Sequence, residues 1–151
     1  MTAPWLVGLD VDGTIILQDE TMSPGVPEAV ARLRDAGHEV TIATGRSWMA
    51  TRRWVEQLEL TPQFVVCSNG AVTMRRVGDE WERWHIETFD PSPVLALLRD
   101  RLPEARYMVE LGSGLRLYTE HLDDWTLDGG RQVGFEAVSY THLTLPTNRE
   151  V

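Results

Sequence analysis

The stretch from Leu6 to Thr14, LVGLDVDGT, constrains the fold of this chain more than any other part of it. Trp5, Leu6, Val7 and Leu9 form a short apolar run that ends in two carboxylates, Asp10 and Asp12, with Gly13 and Thr14 immediately after. Such a run reads as a strand buried on both faces, as in a parallel sheet. Open parallel sheets place ligand sites beyond the carboxyl ends of their strands, which is where Asp10 and Asp12 stand. If Asp12 stays extended, the two-residue period of a strand aims both carboxylates the same way. Two close carboxylates repel, so one pKa rises or a cation is required. Hard, oxygen-ligated Mg²⁺ suits such a pair, and Gly13 lets the chain turn where a side chain would obstruct a ligand. A plain Asp-Gly turn accounts for Asp12-Gly13 taken alone. A calcium loop fits poorly, because it needs a third acid and a later glycine.

Past a polar stretch from Gln18 to Ser23, Ser23-Pro24 marks a helix start, with Pro27 still in the first turn. Val26, Ala29, Val30, Leu33 and Ala36 recur at helical spacing, and Gly37 stops the helix. Glu39 to Thr44 reads as a second short strand, so the opening of the chain is a βαβ unit. That strand ends in ATGRS, Ala43 to Ser47. As structure this is a strand-to-helix turn with Ser47 as N-cap. As chemistry, a hydroxyl and backbone N–H groups at a helix N-terminus make an anion site. The next helix spans Ser47 to Leu58, with Trp48, Met49, Val55 and Leu58 as its core stripe, and Phe64 to Cys67 reads as a third buried strand. The following SNGA, Ser68 to Ala71, contains the strongest short hairpin signal, Asn-Gly. Its position at the carboxyl end of the third strand, beside the other two loops, favours instead a site loop.

Beyond Ala71, Val72 to Met74 and Trp81 to Ile86 flank Gly78-Asp79 as a hairpin. Asp90-Pro91 or Ser92-Pro93 opens a helix carrying Val94, Leu95, Leu97, Leu98 and Leu102. Tyr107 to Leu111 and Leu115 to Tyr118 read as strands around Gly112-Ser113-Gly114, which lacks the third glycine and following helix of a dinucleotide fingerprint. His38, His85, His121 and His142 are scattered without ligand spacing, and no nucleophile-elbow serine is present.

At 151 residues and 42% hydrophobic content, the chain has the material for an ordinary domain core. Its net charge of −9, without a basic patch, argues against nucleic acid or an anionic membrane surface as partner. A single cysteine, Cys67, excludes an internal disulfide framework and suits a reducing cytoplasm. The N-terminus shows no signal-peptide pattern, and no apolar run approaches membrane-spanning length.

DVDGT, ATGR and SNGA, in that order, resemble the first-half motifs of the haloacid dehalogenase superfamily, in its Cof-like branch with the larger α+β cap. The resemblance covers about Trp5 to Ala137. It implies an α/β fold: the N-terminal half of a Rossmann-like parallel-sheet core over 1–71 and the start of an α+β cap over 72–137. The remainder, 138–151, does not continue the cap pattern and is expected to be a non-native tail. The resemblance also implies a Mg²⁺-dependent hydrolase of phosphate monoesters. Asp10 would be the nucleophile that forms an aspartyl-phosphate, and Asp12 the acid and then the base. Thr44, Asn69 and backbone N–H groups near Val11, Asp12 and Gly45 would hold the phosphoryl oxygens. Arg46 either joins them or orients its loop. Mg²⁺ would bind the Asp10 carboxylate and the Asp12 carbonyl, and the partner would be a small phosphorylated metabolite selected by the cap. The chain departs from the pattern in one respect: the family's later lysine and acidic Gly-Asp motif are not found, and the sequence contains no lysine at all. It is therefore expected to be truncated and inactive as it stands. A non-catalytic phosphate- or metal-binding module and a phosphomutase are the alternative readings.

Overall fold

A computed structural model describes residues 3–120 and 130–139. It divides into two compact units, Met1–Glu87 and Thr88–Val151. In the first, β1 (Leu6–Leu9) and β2 (Glu39–Ile42) pair in parallel, from Leu6 opposite Glu39 to Leu9 opposite Ile42. The βαβ crossover is α1 (Val26–Asp35). Its start differs from the expected Ser23-Pro24: Gly25, at φ 80°, occupies the cap position and Pro27 lies in the first turn. A left-handed cap residue of this kind favours glycine. Next, α2 (Trp48–Gln57) leads to β3 (Phe64–Cys67). Here Ser47 is the N-cap, its side chain accepting from the Ala50 N–H at 3.4 Å. β3 lies beside β2: Ala43 bridges Val66 in parallel, and the Thr41 hydroxyl donates to the Phe64 carbonyl at 2.5 Å.

One core holds this unit together. Val11, Ile15, Ile16, Val30, Val40, Ile42, Trp54, Val55, Val65, Cys67, Val72 and Met74 are all buried in it. Met49, expected in the stripe of α2, faces outward, while Trp54 fills the core in its place. The expectation that β1 is buried on both faces also fails. Val7 and Leu9 pack on the core, but Trp5 and Leu6 are each 68% exposed. The cause is the pairing: among the described residues β2 is the one strand hydrogen-bonded to β1, and α1 and α2 contribute their buried side chains to the cluster holding Val7 and Leu9.

The break in compactness falls after Glu87 and not after Ala71. β4 (Val72–Val77) pairs antiparallel with β3, Cys67 opposite Val72, and β5 (Glu80–Ile86) pairs with β4 around Gly78-Asp79. Ser68–Gly70, a single 3₁₀ turn, is therefore a hairpin connection as well as a loop at the end of β3. The Asn-Gly signal, set below position in the sequence reading, holds as structure. Val72 and Met74 share the first unit's core.

The second unit opens with α3 (Ser92–Arg101), where the Asp90 carboxylate accepts from the Ser92 N–H at 2.9 Å. Of its apolar residues Leu95 is buried, whereas Val94 and Leu97 are exposed. β6 (Met108–Glu110) and β7 (Arg116–Tyr118) form the expected hairpin around Gly112–Gly114, and β8 (Arg131–Gln132) joins β7 in parallel. α4 (Phe135–Ser139) follows. Val138, expected to begin a separate tail, is fully buried with Leu95 and Tyr107. Residues 140–151, His121 and His142 lie outside the described residues. Among those described, no helix is long and apolar enough to cross a membrane.

Candidate active site

The site is built from three loops at the carboxyl ends of β1, β2 and β3. The first begins where β1 stops. Leu9 is the last paired residue, its carbonyl accepting from Ala43 N–H at 2.9 Å, and Asp10 follows it, exposed. The chain then turns back sharply instead of staying extended. The Val11 carbonyl accepts from the N–H groups of Thr14, Ile15 and Ile16 at 3.3, 3.0 and 3.1 Å, and Gly13 turns at φ 71°. Val11 is completely buried, and its carbonyl is taken up by these turn hydrogen bonds.

The second and third loops are stitched together. Asn69 N–H donates to the Thr44 carbonyl at 3.1 Å and Ser68 N–H to the Arg46 carbonyl at 2.8 Å. Thr44 is buried, its N–H donating to the Val66 carbonyl at 3.0 Å and its hydroxyl oxygen accepting from Arg46 N–H at 3.2 Å. Ser68 and Asn69 both adopt left-handed backbone, φ 50° and 54°. That conformation is costly for residues other than glycine, least so for Asn. Gly45 permits the approach: a Cβ there would lie 3.0 Å from Asn69 Oδ1.

Arg46 ties the second loop to the first. Its Nε donates to Asp12 Oδ2 at 2.8 Å and its Nη2 to Asp12 Oδ1 at 2.6 Å, a two-pronged ion pair. The same Nη2 donates to Glu20 Oε1 at 2.7 Å, and Arg53 Nη2 of α2 pairs with the other Glu20 oxygen. The Arg46 hydrogen bonds hold the Asp12 carboxyl below the usual carboxylate range, against a smaller opposing effect of partial burial. The Arg46 guanidinium is in turn stabilised in its charged form, first by Asp12. Of the sequence-predicted residues, Asp12, Thr44, Gly45, Arg46 and Asn69 are thus linked directly. Asp10 stands at the end of β1, and among the described residues no hydrogen bond or ion pair engages its carboxylate. Arg46 does orient its loop, the structural half of the open choice posed by the sequence. Sequence reasoning missed Glu20 and Arg53. The Gln18–Ser23 stretch reads simply as polar, and nothing local marks the Glu20 carboxylate as a partner for α2.

The donor set fits one hard cation. With its side chain engaged by Arg46, Asp12 offers its backbone carbonyl, and Asp10 offers a carboxylate. Two such oxygens, completed by water, suit Mg²⁺, which retains several waters in most protein sites. No group of three His, Cys, Asp or Glu side chains among the described residues makes a closed metal cage.

These features define an α/β protein with a Rossmann-like half-sheet whose polar loops gather at the carboxyl ends of its parallel strands. The chain belongs to the haloacid dehalogenase-like hydrolases, the family that matches residues 7–114. Among curated proteins it is 39% identical over 84 residues to the 5-amino-6-(5-phospho-D-ribitylamino)uracil phosphatase YitU of Bacillus subtilis, covering 56% of this chain and 31% of that protein. It is 34% identical over 98 residues to the pyridoxal phosphate phosphatase YbhA of Escherichia coli, covering 62% and 32% respectively. The chain therefore spans about a third of the length of these relatives. Among solved structures it resembles a subclass IIB sugar phosphatase of the superfamily, with 19% identity, a TM-score of 0.65, and 91% of this chain and 55% of that one covered. It also resembles a haloacid dehalogenase-like hydrolase from Bacteroides thetaiotaomicron, with 18% identity, a TM-score of 0.63, and 87% and 52% covered. At these identities the two structures speak for the fold.

Proposed function

We propose that this chain carries the nucleophile-bearing part of a phosphate-monoester hydrolase working through an aspartyl-phosphate at Asp10. The observation that carries the reading is the asymmetry of the two carboxylates. Asp12 is clamped by Arg46, while Asp10, at the end of β1, is left unengaged by any described residue. A carboxylate with neither oxygen committed to a side-chain partner can hold a cation through one oxygen and attack through the other. In the first step an Asp10 oxygen attacks phosphorus, the ester P–O bond breaks, and the leaving alcohol takes a proton from Asp12. In the second, water attacks phosphorus, gives its proton to Asp12, and the Asp10–phosphorus bond breaks. Resting Asp12 is a carboxylate, the form suited to the second step. A phosphate dianion arriving beside it disfavours that charge and so favours the acid form needed for the first.

Thr44, Asn69 and the backbone N–H groups around Asp12 and Gly45 are the donors for the equatorial oxygens, where charge stabilisation matters most. Mg²⁺ bound by the Asp10 carboxylate and the Asp12 carbonyl would supply charge neutralisation at the phosphoryl group. Both curated relatives are named for phosphate esters of small metabolites, which supports a small phosphorylated metabolite as substrate class. The cytoplasm suits the single, buried Cys67.

A second reading, a non-catalytic phosphate- or metal-binding module, is favoured by one observation. The chain has no lysine, and the arginine nearest the carboxylates, Arg46, is already engaged by Asp12 and Glu20. On that ground the chain by itself is proposed to be inactive or very slow. A phosphomutase, which would pass the phosphoryl group to a second hydroxyl instead of water, has no observation in its favour. Turnover of p-nitrophenyl phosphate with and without Mg²⁺, measured on a version of the chain that carries the family's later lysine and Gly-Asp motif, tests the hydrolase. Mg²⁺-dependent release abolished by Asp10→Asn supports it, and phosphate binding without any turnover favours the module.

A further inference from the structure

Glu20 belongs to none of the motifs singled out in the sequence, yet it sits at the crossing of the network around Asp12. It lies in a tight turn that Ile16 and Met22 close by an antiparallel bridge, with Leu17 N–H donating to the Thr21 carbonyl at 2.9 Å and Glu20 N–H to the Leu17 carbonyl at 3.0 Å. Its own backbone is left-handed, φ 61°, a conformation glutamate rarely adopts without compensation. The compensation lies in the side chain, which is only 19% exposed and meets two arginines. Arg46 Nη2 is shared at nearly equal distances, 2.6 Å to Asp12 Oδ1 and 2.7 Å to Glu20 Oε1. A guanidinium is a rigid planar fork. Fixing Nη2 from the Glu20 side therefore fixes the plane of the group, and with it the Nε–H that meets Asp12 Oδ2. Arg53, on α2, anchors Glu20 from behind through its second oxygen.

We propose that Glu20 is a positioning residue: held by Arg53, it locks the guanidinium of Arg46 so that Asp12 stays where it serves the leaving group. The proposal rests on the phosphate-monoester reading, but its geometric half stands on the described contacts alone. Glu20 touches neither nucleophile nor ligand donors and acts only through Arg46. Its loss therefore affects both proton transfers made by Asp12, to the leaving alcohol and from the attacking water, and spares the attack by Asp10.

Two esters separate that role from a general structural one. Glycerol 2-phosphate expels an alkoxide that must be protonated, whereas p-nitrophenyl phosphate expels a stabilised phenolate that leaves unaided. Glu20→Ala is expected to lower kcat/KM on glycerol 2-phosphate, which reports the first step alone, by roughly tenfold or more, a fraction of what general acid catalysis supplies. On p-nitrophenyl phosphate kcat/KM should stay within about twofold, because the first step with that ester makes little use of an acid. Arg53→Met should act in the same direction and more weakly. Equal losses of kcat/KM on both esters, or no loss on either, overturn the proposal. If the parent chain turns over neither ester, as its lack of a lysine leads us to expect, amide hydrogen exchange decides the latch independently of the hydrolase reading. Glu20→Ala should speed exchange at the Gly13 and Leu17 amides by about tenfold or more while leaving unchanged the Leu58 amide, which caps α2 by donating to the Trp54 carbonyl. Unaltered exchange at Gly13 and Leu17 overturns it.

Discussion

Arg46 grips Asp12 through two hydrogen bonds, Nε to Oδ2 at 2.8 Å and Nη2 to Oδ1 at 2.6 Å, and so joins the loop after β2 to the loop after β1. The two residues are far apart in sequence and lie at the ends of neighbouring parallel strands. Parallel pairing of β1 with β2 is what brings them together, and the turn at Gly13 presents the Asp12 side chain to the guanidinium. Asp10 keeps its carboxylate outside the pair. One ion pair therefore gives two chemically similar side chains different environments, the usual means by which two carboxylates divide acid–base and nucleophilic work.

In a version of the chain that carries the family's later lysine and Gly-Asp motif, replacing Asp10 by Asn should abolish phosphatase turnover without harming the fold. The amide preserves shape, and the side chain is exposed at a strand end, so unfolding midpoints should match the parent. Loss of a covalent nucleophile is expected to cost at least about a thousandfold in kcat/KM. Activity within about tenfold of the parent would show that another group attacks phosphorus.

Arg46→Met should destabilise the first unit, and the loss should depend on pH. The Arg46 side chain is 10% exposed, but that of Asp12 is 59% exposed, so solvent screening keeps the cost to about 1 kcal/mol. The folded-state pKa of Asp12 lies below its ordinary value of 3.8. A depressed pKa contributes stability that is present above the unfolded value and lost as pH falls through the folded one. The parent's advantage over Arg46→Met in urea unfolding should therefore be complete at neutral pH and shrink in strong acid, below 3.8. An advantage that grew on acidification would contradict the assignment.

How much of this was legible in the sequence depends on how local each cause is. Ser47 as N-cap, the Gly78-Asp79 and Gly112–Gly114 turns, and β3 follow from signals within a few residues, and all are found. The burial of β1 was misread because it depends on which strands and helices cover it. An apolar run specifies that a strand can be covered, not that it is. The end of the first unit was misplaced for a related reason. SNGA carries both a loop signal and a turn signal, and the pairing of Cys67 with Val72 satisfies the two together. The three loops that carry the predicted site residues were legible as loops because each follows a strand end. Glu20 and Arg53 escaped because their meeting is a product of tertiary packing, with no periodicity or turn chemistry to announce it.

Gly45→Ala should strain the seam between the second and third loops. The added Cβ would lie 3.0 Å from Asn69 Oδ1, so the Asn69 side chain must give way. Asn69 is exposed and can turn outward, which limits the stability cost to less than about 1 kcal/mol. Phosphate affinity should fall more noticeably, since the displaced amide is one of the proposed donors. Combining Gly45→Ala with Asn69→Ala should cost less in stability than the sum of the two changes, because the clash is removed. Strict additivity in thermal unfolding would mean that the two loops do not meet as described.

The exposed edge of β1 gives the last prediction. Leu6 is 68% exposed and beside it Trp5 equally so, on a strand whose one described partner is β2. A free strand edge bearing large apolar side chains is a template for intermolecular pairing. Leu9, by contrast, packs on the core with Val7. Leu6→Lys should therefore leave the unfolding midpoint nearly unchanged, since little buried apolar area is lost, yet reduce concentration-dependent association of the chain. A charge on an edge is a standard deterrent to pairing. Leu9→Ala should do the opposite: it removes packing and costs about 2 kcal/mol or more, with no gain in solubility. That is a large share of the roughly 5–15 kcal/mol that holds an ordinary domain together. Urea unfolding and light scattering across a concentration series measure the two effects separately. If Leu6→Lys unfolds the chain as readily as Leu9→Ala does, the two residues share a buried environment and β1 is covered on both faces after all.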